Sequence, residues 1–334
     1  MLNPFSVYSN ADLAQSINIV PNSYGRLNQL NLFPVKGVMT RTITIEEQNG
    51  VLAMLPSGEY GGQSTAGKQG KRNVRTFQIP HIPHDELILA SEIQDIRAFG
   101  GDGMASLDSL VNQKLATARA KHDITLEFLR MGALKGTIVD GDGSTTLFNL
   151  YAEFGITQKN VDFLLGTAGT DVRAKCAEVV RHIEDNALGE NIGNVHCLVS
   201  QEFMDKLTNH ANVKAAYANW NAAQSRLGGD VRAGFEFGGI MFEEYRATAT
   251  NGAGTTTRFI ASNDGHAFPL GTLNTFNTFA GPADFVDSVN RLGQVYYAKI
   301  APIEFDRGYK LHTQANVLPI CARPALCVRV TSSN

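Results

Sequence analysis

Along residues 1–33, single apolar residues stand among polar ones without a sustained period, and Asn3, Asn10, Asn18, Asn22, Asn28 and Asn31 interrupt them. This pattern predicts an irregular arm with at most a short helix over 11–17. Residues 38–45 then turn rich in β-branched side chains, followed by Glu46, Glu47, an Asn49-Gly50 turn signal and a second apolar stretch over 51–55. That sequence opens a hairpin. Residues 56–72 carry Gly58, Gly61, Gly62, Gly67 and Gly70 with almost no large apolar residue, and 74–79 return to a strand pattern. A polar, glycine-rich excursion of this length has little to bury against its own chain, and isolated two-stranded ribbons are marginal in water. It is expected to lie on something else.

Over 105–134, Leu107, Val111, Leu115, Ala118, His122, Leu126 and Leu129 recur at steps of three and four, with no proline and no glycine before Gly132. The spacing predicts one long amphipathic helix, with Asp102, Ser106 and Asp108 suited to its N-terminus and Gly132 to Gly136 ending it. Two strands, over 136–139 and 145–151, flank Asp140-Gly141-Asp142-Gly143, a short-hairpin signal. The second half alternates: helix over 171–187, strand over 195–199, helices over 201–209 and 213–220, and strands over 239–246 and 257–262 around a Thr/Gly-rich turn. Strands over 295–302, 304–314 and 325–330 close the chain. The order fits a mixed α/β lobe.

Composition narrows the function classes. The chain has 334 residues, 43% of them hydrophobic, enough for a sizeable core. A net charge of −3, from 29 basic and 32 acidic residues, gives no global attraction to nucleic acid or to an acidic membrane. Cys176, Cys197, Cys321 and Cys327 show neither CxxC spacing nor the density of a disulfide scaffold, which suits small buried thiols in a reducing compartment. Neither a signal peptide nor an apolar run of about 18 residues is seen, so no membrane is expected as a partner.

Candidate chemistry thins out under inspection. Gly62 to Lys68 fits GxxxxGK but is followed by Gln69 where a phosphate loop needs Ser or Thr, and it runs into a strand pattern where that loop needs a helix. Lys68, Lys71, Arg72 and Arg75 are unopposed by any acid over 61–75, so this tip is the candidate inter-subunit contact, able to meet an acidic surface on a neighbour. His81, His84, Asp85 and Glu86 are dense enough to suggest a metal, but Pro80 and Pro83 impose an extended path and no second ligand pair follows. The Asp140 to Ser144 run lacks the glycine and glutamate of a calcium loop and reads as a turn. No GxSxG, HExxH or papain-type signature is present, and no cofactor, metal or catalytic residue is expected.

The order of elements carries a resemblance. An irregular arm, a long polar hairpin, one long helix, a short hairpin, an α/β lobe and returning strands resemble the α+β tailed-phage (Hong Kong ninety-seven-like) capsid fold, also found in herpesvirus shells. Within it the chain is most similar to the lambda-type major capsid family, through Leu134-Lys-Gly-Thr-Ile-Val-Asp140, a following strand ending Tyr151-Ala-Glu-Phe-Gly155, and Val317-Leu-Pro-Ile320 with Pro324 to Val330. The resemblance implies an N-arm over 1–33, an extended loop over 34–80, a peripheral domain over 81–160 and 291–334 with a spine helix over 104–134, and an axial α/β domain over 161–290. It also implies self-assembly as hexamers and pentamers around double-stranded DNA that the inner face touches weakly. A separate scaffolding protein is implied because no fused helical scaffold precedes the arm, with a portal and a decoration protein as further partners. An encapsulin-like compartment shell shares this fold, and a soluble α/β nucleotide-binding enzyme using Gly62 to Lys68 is the remaining alternative.

Overall fold

The computed structural model describes residues 25–48, 72–95, 107–188, 190, 192–216 and 234–334. The described chain opens with one helical turn, α1 (Arg26–Gln29), and a short strand, β1 (Val35–Gly37). Strands β2 (Thr42–Gln48) and β3 (Arg72–Gln78) precede β4 (Ile82–Leu89) and α2 (Ala90–Asp95). Then comes α3 (Leu107–Lys135), 29 residues long, or about 44 Å at the rise of an α-helix. The hairpin β5 (Thr137–Val139) and β6 (Thr146–Asn149) leads into α4 (Leu150–Phe154) and β7 (Asn160–Asp162). Next are α5 (Val172–Asn186), β8 (Val195–Val199), α6 (Gln201–Asn209), β9 (Phe235–Phe237) and β10 (Ile240–Glu244). A ribbon of β11 (Thr248–Thr250) and β12 (Thr256–Arg258) is followed by β13 (Asp264–Pro269) and β14 (Phe276–Ala280). The last four strands are β15 (Tyr297–Pro302), β16 (Gly308–Ala315), β17 (Val317–Cys321) and β18 (Val328–Thr331).

Local chemistry starts and stops these elements. Asn149, Asp171 and Ser200 each turn a side-chain oxygen onto a first-turn N–H of α4, α5 and α6, satisfying donors that a helix start leaves open. Helix α3 stops at Gly136, whose φ is +81° and whose absent Cβ would lie 2.0 Å from the Tyr151 ring. Conformation and space both require glycine there.

Three sheets carry the fold: β7-β18-β13-β8-β10-β9, β1-β14-β17 and β15-β16-β4. The six-stranded sheet packs on α5 and α6 through Val172, Cys176, Val179, Ile183, Phe203 and Leu207. The first half of α3 buries a stripe of Leu110, Val111 and Leu115 in one cluster with Leu311 of β16, Tyr296 and Ala298. Its second half is different. From Leu126 to Leu134 every residue except Phe128 is buried, because the β5–β6 hairpin, the roots of β2 and β3, and strands β14 and β17 close around it.

The structure departs from the sequence reading in several places. Strand β2 pairs with β3, from Thr42↔Gln78 to Gln48↔Arg72, as the long polar hairpin over 38–79 leads one to expect; the apolar stretch at 51–55 after Asn49-Gly50 is not the partner of β2. The turn signal is local, whereas burial of Ile43 and Phe77 sets the register. Residues 49–71, and the helix expected over 11–17, lie outside the described residues. Residues 25–33, read as part of an irregular arm, bury Leu27, Leu32 and Phe33 in the core around α3. Tyr151 to Phe154, read as a strand end, form α4 because Asn149 caps a helix and Gly155 closes it at φ 65°. Strand β12 ends at Arg258 and pairs with β11, while β10 pairs with β8 and β9. Residues 304–306 form a 3-10 turn, and β16 begins at Gly308. Strands β13 and β14 were not anticipated. Pairings also cross the boundaries drawn at 160 and 290: β18 joins β7 and β13, and β14 joins β17.

The glycine that ends α3 gives a direct test. Gly136→Ala should cost about 2 kcal/mol or more, since it adds both a steric overlap and a left-handed side-chain residue. Urea unfolding of the purified subunit measures it, and an unchanged midpoint would contradict the assignment.

Candidate functional site

Of the four basic residues selected from the sequence, Lys68 and Lys71 lie outside the described residues, and so does the side chain of Arg72, whose backbone pairs with Gln48. Arg75 lies at the root of the ribbon. Its Nε donates to the Glu153 carbonyl at 2.7 Å, and its guanidinium stands 4.6 Å from the centre of the Phe154 ring. Phe77, two residues on, meets Phe148 and Phe154 with centroids 5.4 and 6.4 Å apart. Aromatic contacts and a cation–π contact thus seat the ribbon's root on β6 and α4. The Gly62 to Lys68 loop also lies outside the described residues.

The histidine cluster is a structural layer between α3 and the sheet of β4, β15 and β16. His84 and Lys121 both reach Glu86, at 3.0 and 2.7 Å. Asp85 meets Lys310 at 2.8 Å and also His312, and their hydrogen bonds hold its carboxyl below the usual carboxylate range. Below them His122 bonds Thr313 at 3.1 Å. Asp123 accepts from Arg119 at 3.1 Å and from the Tyr296 hydroxyl, with the Arg119 guanidinium 3.9 Å from the Tyr296 ring centre. Among the described residues no group of three or more His, Cys, Asp or Glu is arranged to hold a metal. Asp142 closes the β5–β6 turn by accepting from Ser144 and Thr145, bonds that push its carboxyl down.

A different kind of surface was not found from the sequence. After Phe285, which is held by the Lys299 ammonium 4.3 Å from its ring centre and by His312, the chain exposes Val286, Val289 and Leu292 at 88%, 64% and 61%. Gly293 N–H then donates to the Val38 carbonyl at 3.0 Å, which brings this loop beside β1, where Val35 and Met39 are also exposed. At the turn between β15 and β16, Phe305 is 85% exposed and held at φ 62° and ψ 26°. Single exposed apolar residues are ordinary, but an anchored loop carrying three, and a solvent-facing phenylalanine in a left-handed conformation, are not. Hydrophobic residues are ordinarily expected to be buried, so Val286, Val289 and Leu292 give no signal of exposure in the sequence.

Two buried histidines set a pH dependence. Burial, then the nearby His84 and Arg119 charges, lower His122 to about 4; burial, then Lys135 and Arg329, lower His266 to about 3. Both are depressed in the folded state, so the unfolded chain binds more protons as pH falls below about 6.5, and folding stability drops until pH passes the folded values. Unfolding free energy at pH 5 should lie about 2 kcal/mol per histidine below that at pH 7.5. Urea titrations of wild type and His122→Gln across this range check it: the variant should lose part of the slope, and an identical slope would remove His122 from the account.

Comparison with known proteins places this geometry. The chain matches the family model of phage major capsid protein E across residues 9–332. It is 29% identical over 337 positions to the major capsid protein of Pseudomonas phage KPP10, covering 95% of each chain. It is also 29% identical over 351 positions to the major capsid protein of Salmonella phage Felix O1, covering 96% of this chain and 95% of that one. Among solved structures, a prophage capsid protein from E. coli CFT073 superposes with a TM-score of 0.63 at 14% identity, over 98% of this chain and 99% of that one. The capsid of cyanophage P-SCSP1u gives 0.51 at 11% identity, over 91% and 87%. At such identities the structural likeness speaks to the fold.

Proposed function

The chain belongs to the phage major capsid protein E family, and from that premise we propose which of its surfaces build the shell. It is a structural subunit of the head of a tailed phage, and the partners it needs first are copies of itself. The observation that carries the reading of its surfaces is that, among the described residues, Val286, Val289 and Leu292 beside β1 and Phe305 at the tip of the β15–β16 turn are apolar side chains left in water. These are the contacts assigned to neighbouring subunits within and between hexamers and pentamers. Burying them on assembly removes apolar area from water, and repetition around a closed shell makes many weak contacts act together.

The extended loop over 34–80 belongs to the same proposal. Its root is fastened to its own subunit by Arg75 and Phe77, and its far part, with Lys68 and Lys71, is assigned to lie over a neighbour. The arm over 1–33, peripheral regions over 81–160 and 291–334, and an axial region over 161–290 complete the division, with β14 and β18 bridging it. A separate scaffolding protein, a portal and a decoration protein are the further partners implied by the lambda-type resemblance. Packaged DNA is assigned a weak contact, in keeping with the net charge of −3. Assembly is assigned to the host cytoplasm. The family assignment favours this reading over a cargo compartment or a nucleotide-binding enzyme.

Electron microscopy of the expressed protein, with its scaffold where needed, tests the proposal: regular shells are expected, and a well-behaved monomer under every condition would overturn it. Val289→Asp with Leu292→Asp should leave secondary structure and unfolding midpoint nearly unchanged while reducing shell yield at least tenfold. Removing residues 56–71, which spares β3, should likewise give a folded subunit that fails to form stable shells. Wild-type shells from either variant would sink the corresponding contact.

A further inference from the structure

We propose that Cys321 and Cys327 form an oxidation site, closing to an internal disulfide that locks the crossing between two sheets once the shell has left the cell. Both thiols are free and buried, and their sulfurs stand 3.8 Å apart. That is sulfur–sulfur contact, from which a rotation of the side chains brings them to the bonding distance of about 2.05 Å. The approach is built by the backbone. Cys321 ends β17 opposite Phe276, and the next residue is pinned by Ala322 N–H donating to the Thr275 carbonyl at 2.7 Å. The 3-10 turn Pro324–Leu326 then reverses the chain, and Cys327 N–H donates back to the Pro324 carbonyl at 3.0 Å. Strand β17 lies in the three-stranded sheet and β18 in the six-stranded one, so the chain passes between the two sheets here and a bond across the turn ties their ends together.

The chemistry balances with a hydroperoxide as oxidant. One thiol, as thiolate, attacks the O–O bond of hydrogen peroxide; an S–O bond forms, the O–O bond breaks, and hydroxide leaves as water with the proton of that thiol. The second thiol attacks the resulting sulfenic sulfur; the S–S bond forms, the S–O bond breaks, and a second water carries off its proton. Two thiols are oxidised and one peroxide is reduced. The hydrogen bond to Cys321, and then burial, push the Cys327 thiol up, so thiolate is scarce and closure is slow, and the same burial shields the finished disulfide from reductants. Slow closure suits a protein that folds where thiols stay reduced and then persists outside, a timing that rests on the head-shell reading; the pairing of the two thiols does not.

Assembled particles, and in parallel the unassembled subunit, are exposed to dilute hydrogen peroxide. Free thiols are then alkylated under denaturing conditions and the protein is digested with trypsin. Because Arg323 precedes Pro324, both cysteines fall in one peptide between Lys310 and Arg329. The expected result is that this peptide becomes two hydrogens lighter and resists alkylation, while the equally buried Cys176 and Cys197 remain alkylated. The unfolding midpoint should rise by about 3 °C, a rise absent from Cys321→Ser. Equal alkylation of all four cysteines, or oxygen added to single cysteines without loss of the two hydrogens, would overturn the proposal. Micrographs of the same samples report the shell separately: a disulfide in material that never forms particles keeps the pair and removes the head-shell timing.

Discussion

A helix whose last turns are buried on every side can carry charge only where each charge meets a partner inside the fold. In α3, Asp123, Glu127 and Arg130 are all buried, and what they meet determines what packs on each face. Glu127 accepts from Leu27 N–H at 2.8 Å and from the Tyr245 hydroxyl at 3.0 Å. Its carboxyl fills the space where a side chain on Gly25 would stand, with the Gly25 φ at +100°. Arg130 donates to Asn28 at 2.9 Å and reaches Thr278 on β14, and Asp123 gathers Arg119 and Tyr296. Three consecutive turns of one helix thereby fix the first described segment, the end of β10 by way of Tyr245, the three-stranded sheet through β14, and the approach to β15. Apolar packing alone would hold these parts near the helix; the hydrogen bonds of these buried side chains give each one register.

This explains which parts of the fold were legible beforehand. The helix itself was, because Val111, Leu115, Ala118, His122 and Leu126 keep a period that only a half-buried helix rewards. So were α5, α6 and β8, where caps and apolar runs agree with the tertiary outcome. Strand β13 was not: Asp-Gly-His-Ala-Phe-Pro has little β-propensity, and it becomes a strand because β8 and β18 flank it on both sides and the tertiary setting overrides local preference. The 25–33 segment was misread for the same reason. Its asparagines look like loop chemistry, and nothing local announces that Asn28 is held by Arg130 or that Leu27 is wholly buried.

The candidate surfaces were legible in a more limited way. Charge density singled out the extended-loop tip, a property that needs no structure. Of its four members, Arg75 proves to be engaged with Glu153 and Phe154 of its own chain, a pairing of residues almost eighty positions apart that no spacing rule exposes. The apolar loop over 286–292 was invisible for the opposite reason: hydrophobic residues are expected to be buried, and only coordinates reveal the ones that are not.

Phe305 brings the two levels together. A left-handed φ on a bulky side chain is strained, on the order of 1–3 kcal/mol, and persists where something else over-determines it. Within the subunit, the turn is bounded by Ile303 N–H donating to the Gly308 carbonyl at 2.9 Å, which fixes the loop's length and forces the chain through that conformation. The strain therefore arises from the hairpin, while the aromatic ring gains little burial from its own chain. The backbone that presents the ring is already set before any contact forms, so a neighbour that buries it need not supply the entropy of fixing that backbone. The same holds for Val286, Val289 and Leu292, whose loop is held by Phe285 and Gly293 at its two ends. Small, separate apolar places, and not one broad patch, limit indiscriminate association of single subunits. A closed array, in which each subunit engages several neighbours at once, still gathers their full effect.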